Sequence, residues 1–176
     1  MHIAMPPPQA PTTMQPLTAA LRRHHPAPDF TLPEVRLRDY SFRRDLVLAM
    51  LHGPDCPACA RIARELHARR ADREDWGTTL LVLRRDPEPF PDATAIPRQA
   101  RDADRAVYRR YAGSDDPDAQ GVLLLVLDHR GRFMDGWILR HPEPVDWHEV
   151  AETVRWVAIQ EPECGNCSVL PAWDAE

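Results

Sequence analysis

Four cysteines, arranged as two C-x-x-C pairs, are the residues of this sequence whose type and spacing point most directly to chemistry. The first pair is Cys56 and Cys59, at the start of a stretch with helical periodicity. A helix N-terminus presents unsatisfied N–H groups and a partial positive charge to the first sulfur, which favours the thiolate that attacks disulfides. We therefore predict that Cys56 is the exposed nucleophile and that Cys59, one turn inside the helix, is the resolving thiol.

The second pair is Cys164-Gly165-Asn166-Cys167, beyond the last predicted helix. A second redox dithiol that exchanges electrons with the first pair or with a partner is one interpretation. A four-cysteine zinc site formed with Cys56 and Cys59 is another, because two such knuckles supply a tetrahedral set of sulfurs. A structural role is the third. We expect no bound metal or cofactor, and the zinc-binding or redox-sensing module stays open as the non-enzyme alternative.

Other catalytic signatures are missing from the sequence. All 22 basic residues are Arg, so chemistry that needs a lysine is excluded. The sequence contains no HExxH, no GxSxG and no glycine-rich phosphate loop. Of the eight histidines, His52 is the one that we retain as a supporting site residue, since it lies four positions before Cys56.

The elements that must position these residues follow from the hydrophobic pattern. Strands are predicted over 46–51, 78–83, 122–127 and 133–139, and helices over 57 to about 73, 102–112 and 147 to about 160. Pro57 suits the first helical position, where its missing N–H costs nothing, and Asp146 suits an N-cap. The helical crossovers imply parallel pairing of the first strands, whereas the short separation of the last two predicts a hairpin.

The amino-acid composition predicts the domain boundaries, the classes of binding partner and the cellular compartment. Eight of the 19 prolines lie in the first 33 residues, so we expect a disordered, proline-rich tail over 1–25, with room for a short helix over 17–25. A domain over 26–160, with a hairpin extension over 26–44, and a C-terminal tail over 161–176 complete the organisation. The net charge of −5 favours neither nucleic acid nor an anionic membrane. No apolar run reaches the roughly 18 to 20 residues that span a bilayer, and we expect a cytoplasmic protein.

The segment HGPDCPAC after LVLAML resembles the active-site region of the thioredoxin fold. The earlier segment PAPDFTLP resembles the N-terminal part of peroxiredoxins and of redoxin-type thiol–disulfide oxidoreductases. The resemblance extends from residue 26 to about residue 160. It implies an α/β thioredoxin-like fold with a central mixed sheet flanked by helices. It also implies a redox enzyme that cycles Cys56 and Cys59 between dithiol and disulfide, with a protein disulfide or dithiol, or a peroxide, as its partner.

Four positions depart from the patterns of those families. Asp55 and Met50 stand where thioredoxins usually have an aromatic residue and a buried acid, and Gly121 stands where thioredoxins have a cis-proline. Gly53 stands where peroxiredoxins have a threonine or serine that positions peroxide. We therefore rank disulfide exchange first and a thiol-dependent peroxidase, with Cys56 as the peroxidatic cysteine, second.

Overall fold

The computed structural model describes residues 14–17, 21–40, 43–91, 98–114, 121–140 and 144–160. In chain order the elements are β1 (Gln15–Pro16), β2 (Thr31–Leu32), β3 (Val35–Arg36), a 3-10 helix (Leu37–Tyr40), β4 (Leu46–Leu51), α1 (Pro57–Ala68), α2 (Arg70–Asp75), β5 (Thr79–Arg84), β6 (Gln99–Arg101), α3 (Ala106–Ala112), β7 (Val122–Leu127), β8 (Phe133–Leu139) and α4 (Trp147–Ile159). Among these described residues, no helix is long and apolar enough to cross a membrane.

Six strands form one mixed sheet in the order β1-β8-β7-β4-β5-β6. The β4–β5 pair is parallel, as the helical crossover between these strands predicts, and β5 also pairs in parallel with β6, a strand that the sequence did not predict. The β4–β7 and β7–β8 pairs are antiparallel, so the parallel pairing does not extend to β7 although the helix α3 precedes that strand. Strands β2 and β3 form a separate two-stranded hairpin. The predicted mixed sheet with flanking helices is confirmed.

The two central strands, β4 and β7, have every residue buried. Their sequences, LVLAML and VLLLVL, lack polar alternation because structure covers both faces of the sheet. On one face, apolar side chains of α1 and α4 pack against alternate strand residues such as Val47 and Leu124. On the other face, α3 and the N-terminal segment cover the remaining strand residues, such as Leu48 and Leu125. The sheet therefore separates two hydrophobic cores.

Side-chain contacts fix α1 against α4. The indole Nε1 of Trp147 donates to Oε2 of Glu65 at 2.8 Å, and the guanidinium of Arg69 lies 4.8 Å from the ring centroid of the same tryptophan. Asp146 is the N-cap of α4, and its carboxylate accepts the backbone N–H groups of His148 and Glu149. The helix that begins at the first cysteine pair is thus held by polar contacts as well as by its apolar face.

Residues 14–17 and 21–25, the part of the expected disordered tail that the structure describes, are ordered against the sheet. Gln15 and Pro16 pair with β8, the backbone N–H of Leu17 donates to the carbonyl of Gly136 at 2.8 Å, and Leu17 is buried. Leu21 is also buried, and residues 23 and 24 form a turn rather than the short helix considered for 17–25. Two apolar side chains and an open sheet edge supply the contacts that proline-rich composition alone does not reveal.

Three further elements differ from the prediction. Helix α1 ends at Ala68, and Arg69, with φ −94° and ψ 19°, separates it from α2. The segment 84–100, expected to be a loop, includes the start of β6, which pairs in parallel with β5. Helix α3 begins at Ala106 rather than at residue 102, because the preceding residues form a turn.

Candidate active site

The loop between β4 and α1 places Cys56 at the N-terminus of the helix. The backbone N–H of Cys56 donates to the carbonyl of Gly53 at 3.3 Å, and the carbonyl of Cys56 accepts the first α1 hydrogen bond, from Ala60, at 2.9 Å. Cys56 has the extended backbone of an N-cap residue, and Pro57 is the first helical residue, as predicted. Its side chain is half-buried, so an approaching disulfide has access to the sulfur.

Cys59 lies one turn further and differs from Cys56 in its surroundings. Its side chain is 0% exposed and belongs to the core between the sheet and α1. Burial, followed by the contact with the sulfur of Cys56, raises the pKa of the Cys59 thiol to about 12. Cys59 is therefore a thiol in the reduced protein at neutral pH.

His52 lies directly behind Cys59. It is 8% exposed, and its backbone N–H donates to Sγ of Cys59 at 3.3 Å. The ring atom Nδ1 is 3.7 Å from the same sulfur. The backbone carbonyl of His52 accepts N–H groups from Arg85 and Asp86 at 2.8 and 2.9 Å, which tie the loop to the end of β5.

Arg105 completes the buried side of the site. Only 5% of this residue is exposed. Its Nη1 is 3.2 Å from Nε2 of His52, its Nη2 donates to the carbonyl of Gly121 at 2.9 Å, and its guanidinium lies 3.5 Å from the ring centroid of Tyr108. Burial lowers the pKa of Arg105, but an arginine begins so far above neutrality that it remains a cation.

Gly53 is closely covered by the side chain of Asp86. A Cβ atom built on Gly53 would collide with the Asp86 carboxylate. That carboxylate also accepts a hydrogen bond from Nε of Arg85 at 2.9 Å. The position three residues before Cys56 therefore holds a glycine next to an acceptor group, and a threonine or serine would not fit without a shift of Asp86.

The ring of His52 and the two sulfurs lie within 4.8 Å of one another, a spacing that could suit a metal ion. A metal on Nδ1 leaves the ring proton on Nε2, and metal-bound histidines usually donate that proton to a carboxylate, carbonyl or water. Here Nε2 faces the guanidinium of Arg105, which has only donors. The three residues therefore do not fit a metal ion in this arrangement.

The structure brings Cys56, Cys59, His52 and Pro57 together, whereas Cys164 and Cys167 lie outside the described residues. Two further residues of the site, Arg105 and Asp86, were not predicted from the sequence. No motif or spacing in the sequence distinguishes them. Arg105 is one of 22 arginines, and both residues reach the site only through the tertiary structure.

Comparisons with known proteins find the fold through structure alone. No family model matches the sequence, and no curated protein matches it. Among solved structures, the mitochondrial 2-Cys peroxiredoxin from Plasmodium falciparum aligns with a TM-score of 0.64 at 15% identity, over 84% of this chain and 100% of that chain. The peroxidoxin BcpB from Mycobacterium tuberculosis aligns with a TM-score of 0.62 at 17% identity, over 78% of this chain and 98% of that chain.

A protein assigned as the thiol:disulfide interchange protein DsbE of Chlorobium tepidum also aligns, with a TM-score of 0.59 at 18% identity, over 78% of this chain and 99% of that chain. The protein has the thioredoxin fold. The residue directly before β7 is Gly121, and its carbonyl accepts a hydrogen bond from Arg105. The thioredoxin-fold neighbours include both disulfide-exchange proteins and peroxiredoxins, so the choice between these chemistries depends on the site.

Proposed function

We propose that the protein is a thiol–disulfide oxidoreductase that cycles Cys56 and Cys59 between dithiol and disulfide. One observation carries the proposal: a half-exposed cysteine at the start of α1 contacts a fully buried second cysteine one turn away. The exposed sulfur is accessible to a partner, and the buried sulfur reacts only with Cys56. This asymmetry supports different roles for the two thiols.

The first step joins the protein to its partner. The Cys56 thiolate attacks one sulfur of the partner disulfide, the S–S bond of the partner breaks, and its other sulfur leaves as a thiolate that takes a proton from water. The products are a mixed disulfide on Cys56 and one free thiol on the partner. Cys59 takes no part, because burial keeps it protonated.

The second step releases the partner. Two of the causes that raise the pKa of Cys59 come from Cys56, namely its hydrogen bond and its charge. Both causes require a reduced Cys56. Formation of the mixed disulfide removes the charge of the Cys56 sulfur, and the pKa of Cys59 falls as a result. Cys59 loses its proton, its thiolate attacks Sγ of Cys56, the mixed S–S bond breaks, and the second sulfur of the partner leaves as a thiolate that takes up a proton from water. The partner gains two electrons, and the protein is left with the Cys56–Cys59 disulfide. A dithiol reductant then reduces this disulfide by the same two steps in reverse.

Peroxidase chemistry is the alternative that we rank second, and the environment of Gly53 supports that order. A hydroxyl donor that positions peroxide three residues before the peroxidatic cysteine would need the space that the Asp86 carboxylate occupies. Losing one preorganised donor typically lowers a rate by about 100- to 1,000-fold. We therefore expect disulfides to oxidise the protein faster than hydrogen peroxide does at equal concentration.

The test follows reduced protein mixed with excess oxidised glutathione, quenched with acid and analysed by intact mass spectrometry. We expect the parent protein to form the Cys56–Cys59 disulfide, and Cys59→Ser to retain one glutathione on Cys56. Cys56→Ser should react at least about 100-fold more slowly, because each unit of a raised thiol pKa costs tenfold in thiolate.

All arms use a background in which Cys164 and Cys167 are serine, so that every adduct belongs to the first pair. Parent-like oxidation of Cys56→Ser would overturn the proposal. Oxidation by hydrogen peroxide that outpaces glutathione disulfide and depends on Cys56 would instead establish the peroxidase.

A further inference from the structure

We infer that Arg105 is a positioning residue that holds the ring of His52 as a neutral hydrogen-bond donor to the sulfur of Cys59. This inference rests on the proposed dithiol cycle, in which Cys59 must become a thiolate before it can attack. The bonds that carry it are those from Arg105 to His52 and from His52 to Cys59.

The contact with Arg105 fixes which ring nitrogen of His52 carries the proton. A guanidinium has five N–H donors and no acceptor, so Nε2, 3.2 Å from Nη1, must be the acceptor. A proton on Nε2, in the other tautomer or in the imidazolium, would place two donors against each other. The ring is therefore neutral and carries its proton on Nδ1.

This tautomer directs an N–H group at the resolving sulfur. Nδ1 lies 3.7 Å from Sγ of Cys59, and the backbone N–H of the same histidine lies 3.3 Å from it. Hydrogen bonds to an ionised acceptor are stronger than those to a neutral one, so both donors favour the Cys59 thiolate over the thiol. His52 cannot take the proton of Cys59, because its Nδ1 is already protonated; the proton of Cys59 leaves by another route.

The position of Arg105 is held from several sides. Its backbone has φ 55° and ψ 29°, a left-handed conformation that non-glycine residues rarely adopt and that often occurs at functional sites. The carbonyl of Gly121 and the ring of Tyr108 hold the guanidinium. The charged groups of Arg85 and Asp102 also act on it. The guanidinium is thus fixed towards the histidine.

Nitrogen NMR of the protein with labelled histidine tests the tautomer directly. We expect His52, identified by the signal lost in His52→Asn, to show a protonated Nδ1 and a bare Nε2 at pH 7.5. Free histidine favours the opposite tautomer, so Arg105→Met should shift the ring towards a protonated Nε2. A protonated Nε2 in the parent protein, as imidazole or imidazolium, would overturn the inference.

Quenched kinetics with oxidised glutathione tests whether His52 is a donor or a base. In His52→Leu we expect resolution of the mixed disulfide to slow by about 10- to 100-fold, the factor for one hydrogen bond to a charged group. His52→Asn keeps a side-chain N–H close to the place of Nδ1 but no base, and should recover resolution to within about fivefold of the parent rate. Arg105→Met should accumulate the same mixed disulfide.

The outcomes separate this inference from the proposed function. If His52→Asn resolves as slowly as His52→Leu, the histidine does not act as a donor, although the dithiol cycle stands. Resolution in His52→Leu at the parent rate also overturns the inference. If Cys56 forms no adduct at all, the proposed function fails, and the NMR spectra still decide the tautomer.

Discussion

At the end of β4, His52 rather than Met50 supplies the polar contacts to the sulfur of Cys59. The resemblance to thioredoxins aligns Met50 with a buried acid of that family, but the side chain of Met50 packs in the core on the opposite face of the sheet from Cys59. His52, two residues later, contacts the sulfur through its backbone and its ring. A residue that donates two hydrogen bonds to a thiolate serves the same step that a base serves by removing the proton, since both favour the ionised sulfur.

Asp45, just before β4, couples folding to pH at the end of the strand away from the cysteines. The residue is 6% exposed, and its carboxylate accepts the backbone N–H of His129 at 2.8 Å. Burial, assisted by the charge of Asp128, raises the pKa of Asp45 from 3.8 to about 6. An acid with a raised pKa stabilises the fold in its protonated form. This contribution is complete below pH 3.8 and is lost as the pH rises through about 6.

We therefore expect Asp45→Asn to increase the free energy of unfolding at pH 8 by roughly 1 to 3 kcal/mol. Asparagine keeps the oxygen that accepts from His129 but buries no charge. The gain should shrink towards pH 4, where the aspartate of the parent protein is protonated. Urea denaturation at pH 4.5, 6 and 8 measures the effect, with Asp39→Asn as a control because that carboxylate is exposed. A gain that is equal at all three pH values would contradict the explanation.

At the scale of elements, the turn before α3 delivers Arg105 to the site. The buried carboxylate of Asp102 accepts the backbone N–H groups of Val107 and Tyr108 at 3.3 and 3.0 Å. Its backbone carbonyl accepts the N–H of Arg105 at 3.0 Å. One aspartate thus satisfies the free N–H groups of the helix start and fixes the left-handed residue within the turn.

Asp102→Ala should lower the free energy of unfolding by about 1 to 3 kcal/mol, the cost of losing a buried helix cap that bonds two N–H groups. Loss of the turn should also release Arg105, so resolution of the mixed disulfide should slow in the folded variant. Asp104→Ala is the matched control, since Asp104 is exposed and its carboxylate accepts the N–H of Ala106 alone, a single helix-start bond instead of two, within the part of the chain that the structure describes. Equal losses in the two variants, by urea denaturation, would contradict the role of Asp102.

Sequence patterns predicted the elements that depend on local periodicity. The apolar run of β4, the stripe of α4 and the short connection between β7 and β8 each appear as expected. The break at Arg69 was not predictable, because residues 58–69 contain no glycine or proline and the contact of Arg69 with Trp147 is tertiary. Strand β1 was missed for a similar reason, since a two-residue strand has no period and forms only against the edge of β8.

At the scale of the whole molecule, the site joins the two sides of the sheet. Cys59 belongs to the core that α1 and α4 cover, while α3, which Arg105 precedes, packs into the core on the opposite face. Cys59 and Arg105 both contact His52, just beyond the end of β4, although Arg105 is 53 residues from His52 in the chain. The cysteines could be located from the sequence because their spacing is local, but a contact formed beyond the end of a central strand depends on the topology of the sheet. The cysteine pair was therefore predictable from the sequence, whereas the contact of Arg105 with His52 behind it was not.

An electron relay between two cysteine pairs, with Cys164 and Cys167 as the second pair, remains a prediction from the sequence. If they form the second dithiol, their loss leaves the chemistry of Cys56 intact but removes the route to a reductant. We expect the double variant Cys164→Ser, Cys167→Ser to oxidise at the parent rate in a single turnover and to lose most of its steady-state turnover with a dithiol protein reductant. The same variant assayed with dithiothreitol is the control, because a small thiol reaches the Cys56–Cys59 disulfide directly. Equal steady-state rates with the protein reductant would rule out the relay and leave the first pair as the complete redox centre.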